Sequence, residues 1–467
     1  MRWEVFVVEL VYLWVEDYKN IHRQGFNFSP RFNCDYDPDT NELIIEENDD
    51  YIENFFGGNT DVTVIAGKNG SGKSAILKSI LEGFVNPDKT NIKLFDSNKE
   101  IISTNSDNTY IIYWDYSITD ESFKELTTFQ DDDELSGVYQ ILPSKVDINN
   151  EGKIDIIRDI QNLAKTILFN LQNEAKDIKI IQDFFTPLYI LLSSKEEVND
   201  FDENTDDLTF NYFKDFYDYN LENSSHCYRV EINDENINKI KNNISKYKFI
   251  DFEDERGKKL LTLSFGELQL MKIMLMLYSS IRKAEDNFDY IVLLLDELEL
   301  GLHPNWQKKI ISNLIKFKPK SKLKFILTSH SPFFISDVPK ENIVFLDTDK
   351  HGNCLAVDGL KEKKETFGAN IHTLLSDSFF MEDGLMGDFA KGKIDEVIKL
   401  LGKELLEPSE IKYCEQIISI IGEPIIKNKL QKMLDSKRLK KIDEIDAIKD
   451  TIEELQKRLS ELENEKS

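Results

Sequence analysis

The chain is poor in cysteine, histidine and positive charge, and it has no long apolar run. Its 467 residues include four cysteines, Cys34, Cys227, Cys354 and Cys414, and no two of them form a CxxC pair. Scattered single cysteines argue against a zinc knuckle and point to a reducing compartment. The six histidines, His22, His226, His303, His330, His351 and His372, show no metal-ligand spacing, which argues against an HNH-type metal site. Lys and Arg number 58 against 86 Asp and Glu, a formal net charge of −28. So acidic a surface repels phosphate backbones, so non-specific nucleic-acid binding by the free chain is disfavoured. A membrane-spanning helix needs about eighteen consecutive apolar residues, and none occurs. The apolar stretch Trp3 to Trp14 is broken by Glu4 and Glu9 and lacks a small-residue cleavage site, so it reads as a core strand and not a signal peptide. These features together predict a cytoplasmic chain with no membrane partner. No internal repeat is found.

What is present is a large core. Hydrophobic residues make up 40% and aromatics 11%, which excludes global disorder. Strand character is predicted at Val5 to Ile21, Asn41 to Glu46, Thr63 to Ala66, Thr109 to Tyr116 and in the segment YKFIDFED. The near-continuous apolar runs YIVLLLDE and KLKFILTSH suit parallel strands buried on both faces. Four sections follow: an N-terminal lobe over 1–145, a mostly helical insertion over 146–246, a C-terminal lobe over 247–359 and a helical region over 360–467. The last section carries Ile445, Ile448, Ile452, Leu455, Leu459 and Leu462 at alternating three- and four-residue steps, a short coiled-coil seam.

Gly67, Lys68, Asn69, Gly70, Ser71, Gly72, Lys73 and Ser74 match GxxxxGK[ST] in full. The motif follows a buried strand and opens a helix, the context its chemistry requires. Glycines let the backbone curl until several N–H groups face one phosphate chain, and the helix adds its positive end. Lys73 is then expected to reach the β- and γ-phosphates of a nucleotide, and Ser74 to hold Mg²⁺. YIVLLLDE ends in Asp296, a candidate Mg²⁺ ligand, and Glu297, a candidate base for an attacking water. The next buried run ends in Thr328-Ser329-His330, and its histidine is a candidate hydrogen-bond partner of the γ-phosphate. Ser264, Gly266 and Glu267 open an apolar helix, as an N-cap, as a second phosphate-facing surface, or as both.

P-loop, LSFGE, LLLDE and TSH occur here in the order of the ABC ATPases, with GLHP (Gly301 to Pro304) where that family has its D-loop. The chain resembles that family and, within it, the RecF/SMC-like, OLD-like branch of AAA-type ATPases from anti-phage systems of the Septu, retron and PARIS kinds. LDELELGLHP, ILTSHSPFF and FGANIHTLLSDSFF carry the narrower likeness. The resemblance implies an α/β fold, an ABC ATPase head with a mixed, largely parallel P-loop sheet, a helical insertion and a C-terminal helical region. It implies a homodimer with two ATP molecules at its interface, open to higher assembly. Gly67 to Ser74 would bind phosphate and magnesium, Asp296 Mg²⁺, and Glu297, His330 and Lys73 would serve catalysis. Ser264, Gly266 and Glu267 would face the ATP of the second copy. It further implies a slow, regulatory ATPase that controls a separate nuclease or toxin and responds to a phage protein or nucleic acid. The rival reading is a RecF/SMC-like repair ATPase that clamps DNA directly.

One departure from the family's pattern concerns the strand after the P-loop. The family's glutamine after the P-loop strand has no single counterpart, since both Gln130 and Gln140 qualify. Asp347-Thr348-Asp349 raises a TOPRIM nuclease, but the helical character after Gly359 favours a hairpin loop. The lysines at 316, 318, 320, 322 and 324 read as a solvated face that balances neighbouring carboxylates, with DNA contact as the alternative.

Overall fold

In a computed structural model of the chain, residues 9–87, 91–102, 109–115, 138–141, 187–194, 226–231, 234–254, 256–259, 262–357, 365–376 and 386–464 are described. They divide into two compact units, Met1–Glu382 and Asp383–Ser467.

The first unit is built on one large sheet. Its strands are β5 (Thr60–Gly67), β7 (Thr109–Asp115), β8 (Val138–Ile141), β12 (Tyr290–Asp296), β13 (Lys322–Ser329), β14 (Ile343–Thr348) and β15 (Cys354–Val357), in the order β15-β14-β5-β13-β12-β7-β8. All pairings are parallel except the β14–β15 hairpin. The sheet is therefore mixed but mostly parallel, as the buried runs predict.

Period-two alternation explains those runs. On β12, Ile291, Leu293 and Leu295 join one core cluster, while Tyr290, Val292 and Leu294 join another. On β13, Leu323, Phe325 and Leu327 fall with the first set and Ile326 with the second. Helix α1 (Lys73–Val85) covers the second face through Ile76, Leu77, Ile80, Leu81 and Phe84, apolar at helical spacing. The long helix over Phe265–Ala284 covers the first face through Leu268, Met271, Leu275 and Tyr278. A strand buried on both faces cannot alternate polar and apolar residues, which is why both sequence runs are continuous.

Smaller sheets flank this layer. β1 (Leu10–Tyr18) pairs antiparallel with β2 (Ile21–Asn27) and β6 (Ile92–Asp96), and β3 (Phe32–Asp37) pairs with β4 (Glu42–Glu47). Most of the expected helical insertion lies outside the described residues. Its described parts correct the helical reading in two places. β9 (Pro187–Ser194) and β10 (His226–Glu231) are strands, and β9 also pairs antiparallel with β11 (Tyr247–Asp254). β11 is thus a strand as expected, but of this second sheet. The helix α2 (Asp234–Asn242) follows β10, so the long one over Phe265–Ala284 is α3. Tyr228, Val230, Tyr247 and Phe252 of this sheet, with Ile240 of α2, join the core cluster that α3 shares.

The alternating lysines are not a bare basic stripe. Lys320 pairs with Asp286 at 3.2 Å and Lys322 with Glu9 at 2.6 Å. Lys324 is fully buried, pairs with Asp61 and donates to the Phe28 carbonyl at 2.5 Å. Taken out of water, such an ammonium is tolerable only with partners of this kind.

After β12 come the short helices α4 (Pro304–Gln307) and α5 (Ile310–Leu314), and after β13 comes α6 (Pro332–Ser336). Helix α7 (Ile371–Ser376) is the last described element of the first unit. The second unit holds α8 (Asp388–Leu401), α9 (Pro408–Ile420) and α10 (Pro424–Asn464). Leu430 and Leu434 of α10 join Val397, Leu401, Cys414 and Ile418 in one small core. Further along α10, Ile445, Ile448, Ile452 and Leu455 are exposed. Among the described residues, no helix is long and apolar enough to cross a membrane.

Candidate nucleotide site

Three neighbouring parallel strands, β5, β13 and β12, end at the same edge of the sheet, and each end carries part of the predicted site. Ligands of open α/β sheets bind beyond this carboxyl edge.

β5 runs into the P-loop. A Cβ at Gly67 would lie 2.4 Å from Ser71 Oγ and 2.8 Å from the Leu346 carbonyl oxygen, so the close turn demands glycine there. Gly70 (φ 78°) and Gly72 (φ 101°) lie in the left-handed region that glycine enters without penalty. Gly72 is the N-cap of α1, and no side chain caps that end. The Asn20 amide donates to the Gly70 carbonyl at 3.2 Å and ties the loop to the β1–β2 connection. Lys73 Nζ donates to the carbonyls of Gly67 and Lys68, both at 3.0 Å, and so lies across the loop. Ser71 Oγ is buried without a hydrogen-bond partner among the described residues. Lys68 approaches Asp347 of β14 at 3.7 Å, Asn69 is exposed, and Ser74 is half-buried on the first turn of α1.

β12 delivers the acidic pair. Asp296 is only 5% exposed and accepts from the Thr328 hydroxyl of β13. The same hydroxyl accepts from the Glu297 backbone N–H at 2.9 Å. Glu297 has φ 47°, a conformation rare for a residue with a side chain, costing about 1–3 kcal/mol and held only by well-determined surroundings. Strain of this sort gathers where a side chain must be aimed. His330, just past β13, brings Nε2 to 3.5 Å from Glu297 Oε1. Burial, reinforced by the Lys73 cation, lowers the His330 pKa to about 4, so its imidazole is neutral at pH 7. Burial also pulls Lys73 down to about 8, opposed by the carboxylates of Glu297, Asp296 and Glu299.

Lys73, Asp296, Glu297 and His330 are therefore grouped, as the motif order predicts. Ser264, Gly266 and Glu267 form a second group at the start of α3. Ser264 caps the helix, with Glu267 reaching back to its N–H at 2.8 Å, and Lys258 holds Glu267 at 2.7 Å. A Cβ at Gly266 would sit 3.5 Å from the Gly301 carbonyl, so this group packs on the GLHP turn. Asp347-Thr348-Asp349 belongs to the β14–β15 hairpin. Asp349 accepts from the N–H groups of His351 and Asn353 at 2.7 and 2.8 Å, and so shapes the turn. Gln140 lies in edge strand β8, and Gln130 is outside the described residues.

The residues that the sequence reading left without a role are Thr328 and Glu299. Thr328, fully buried, links Asp296 to the Glu297 backbone. Glu299, 7% exposed, accepts from Ser329 Oγ at 2.6 Å and from the His330 N–H at 2.8 Å. Burial raises its pKa despite those bonds. Both are polar residues at the close of apolar strand-forming runs, a signal that marks a position without naming a partner.

The donor set fits Mg–nucleotide. A glycine cradle, an uncapped helix start, a buried ammonium and an orphaned hydroxyl suit phosphate oxygens. One carboxylate and one hydroxyl suit a hard cation that keeps phosphate and water as its other ligands. Among the described residues no group of three or more His, Cys, Asp and Glu could hold a metal unaided.

The class so defined is that of P-loop proteins with an AAA-type domain. The chain belongs to the family described as "AAA domain, putative AbiEii toxin, Type IV TA system", whose model matches residues 62–336, more than half its length. It is similar to the Septu protein PtuA of Bacillus mycoides (strain KBAB4), 25% identical over 169 residues, covering 33% of this chain and 23% of that one. It is also similar to "Retron Vc95 probable ATPase" of Vibrio cholerae serotype O1 biovar El Tor, 38% identical over 58 residues, 12% of this chain and 11% of that one. The matched segments thus span less than a quarter of these relatives. Among solved structures, the SMC head domain from Thermotoga maritima aligns over 75% of this chain and 98% of its own, at 12% identity and TM-score 0.29. A nucleotide-free ATP-binding cassette from an ABC transporter aligns over 72% and 85%, at 13% identity and TM-score 0.26.

A pH dependence follows from Lys73. The ammonium is the form that pairs with phosphate. Below pH 8 it is already present; above about 8 the free protein has lost the proton and must regain it to bind. ATP affinity is therefore expected to fall as pH rises from 8 to 9.5, by up to about tenfold per unit. Titration with a fluorescent ATP analogue reads this directly, and an affinity flat over that range contradicts it.

Proposed function

We propose that this chain binds Mg–ATP on its P-loop, hydrolyses it slowly, and through its ATP-bound state governs a separate effector, a nuclease or toxin, in an anti-phage defence assembly. The observation that carries the ATPase reading is the convergence of Lys73, Asp296, Glu297 and His330 on the ends of three adjacent parallel strands. Lys73 and the loop N–H groups orient the phosphates. Ser74 and Asp296 would hold Mg²⁺, which when bound offsets charge on the phosphate oxygens. Glu297 takes the proton of the attacking water, and neutral His330 offers an N–H to the γ-phosphate.

Two copies would enclose the nucleotides, with Ser264, Gly266 and Glu267 of one copy facing the phosphates held by the other. The defence role is supported by the likeness to the retron and Septu proteins. The pairing of Lys320, Lys322 and Lys324 with carboxylates weighs against a DNA clamp on that face.

The test is co-purification. Tagged Glu297→Gln is expressed with its native flanking genes, captured in ATP, and its companions are identified by mass spectrometry. A stoichiometric nuclease or toxin is expected; a lone dimer carrying nucleic acid contradicts the effector reading and favours the clamp.

A further inference from the structure

We infer that Glu299 is a positioning residue, which sets His330 against the nucleotide from across the β12–β13 pair. This rests on the ATPase reading proposed above. After Glu297 the chain turns back at once: the Leu300 N–H donates to the Glu297 carbonyl and the Leu302 N–H to that of Glu299, both at 3.0 Å. Leu298 is buried in the core, which leaves Glu299 aimed across at the end of β13. There one carboxylate oxygen takes both the Ser329 hydroxyl and the His330 backbone N–H. The clamp continues from Ser329. Its Oγ accepts from the Ser331 N–H at 2.9 Å, Ser331 Oγ bonds Gln307 Oε1 at 2.9 Å, and Gln307 Nε2 donates to the Leu302 carbonyl at 3.0 Å. The turn that follows Glu297 therefore grips the residues on both sides of His330.

The other oxygen of Glu299, Oε2, is buried without a partner among the described residues. A half-satisfied buried carboxylate is costly for a packing role alone. Fixing the backbone N–H of His330 fixes where its ring begins, and a displacement of about 1 Å at such a group slows chemistry severely.

Single-turnover hydrolysis and ATP affinity are measured for wild type, Glu299→Ala, Glu299→Asp, His330→Ala and the Glu299→Ala/His330→Ala double variant. Glu299→Ala is expected to slow the chemical step about 10- to 100-fold while ATP affinity stays within about threefold. Added to His330→Ala, it should cost no more than about twofold, because the residue acts through the histidine. An equal loss in both backgrounds, or a wild-type rate in Glu299→Ala, overturns the inference. If Glu299→Ala does not fold, Glu299→Asp carries the test. It keeps the charge but falls short of the His330 N–H, so a slowed step is expected and a wild-type rate overturns the inference. Wild-type turnover by His330→Ala removes the catalytic reading of that histidine, and this inference with it. A slow His330→Ala beside a fast Glu299 variant sinks the inference alone.

Discussion

Glu297→Gln is expected to bind ATP as the wild type does and to hydrolyse it at least about 100-fold more slowly. The substitution keeps the side-chain shape and its approach to His330 but removes the capacity to take a proton. The local backbone supports the aim of this residue. Glu297 is held at φ 47° by the bond from its N–H to Thr328, and Thr328 in turn donates to Asp296. One hydroxyl thus fixes the spacing of the expected metal ligand and the expected base. If ATP bridges two copies, the unhydrolysed nucleotide should also hold them together. Light scattering should then show a Glu297→Gln dimer in ATP that dissociates in ADP. Wild-type turnover by the variant would remove Glu297 from the role of base.

Lys73→Ala is expected to lose ATP affinity by at least about 100-fold, the worth of two charge-assisted hydrogen bonds to phosphate. Lys73 Nζ lies across the loop on the Gly67 and Lys68 carbonyls, at the uncapped start of α1 whose N–H groups would cradle phosphate. Helix α1 keeps its place without it, because Ile76, Leu77, Ile80 and Phe84 carry the packing. The variant should therefore melt as the wild type does while failing to bind. Equilibrium titration with labelled ATP checks this, and an affinity within about threefold of wild type would refute the P-loop assignment.

Much of the central sheet was legible in the chain. YIVLLLDE and KLKFILTSH are continuous because both faces of β12 and β13 are covered, by α3 on one side and α1 on the other. Lys73, Asp296, Glu297 and His330 could be expected to meet because each follows such a run, and the ends of β5, β12 and β13 do bring them together. Of the β9–β10–β11 sheet only β11 was legible; β9 lies in the stretch read as helical, and period alone could not tell its apolar run PLYILLSS from a helical piece. The lysine run was legible in part: carboxylate partners were expected, but the burial of Lys324 was not. Every second residue carries charge, as a solvated face would, yet the carboxylates that absorb Lys322 and Lys324 come from Glu9 and Asp61, hundreds of residues away. The contacts of Thr328 and Glu299 were hidden for the same cause: their partners lie across the β12–β13 pair.

Hydrolysis at this site is tested by phosphate release from saturating Mg–ATP by wild-type and Lys73→Ala proteins prepared in parallel. Slow but measurable release is expected from the wild type and none above background from the variant. Equal rates in the two preparations would place any hydrolysis outside this site and contradict the ATPase reading.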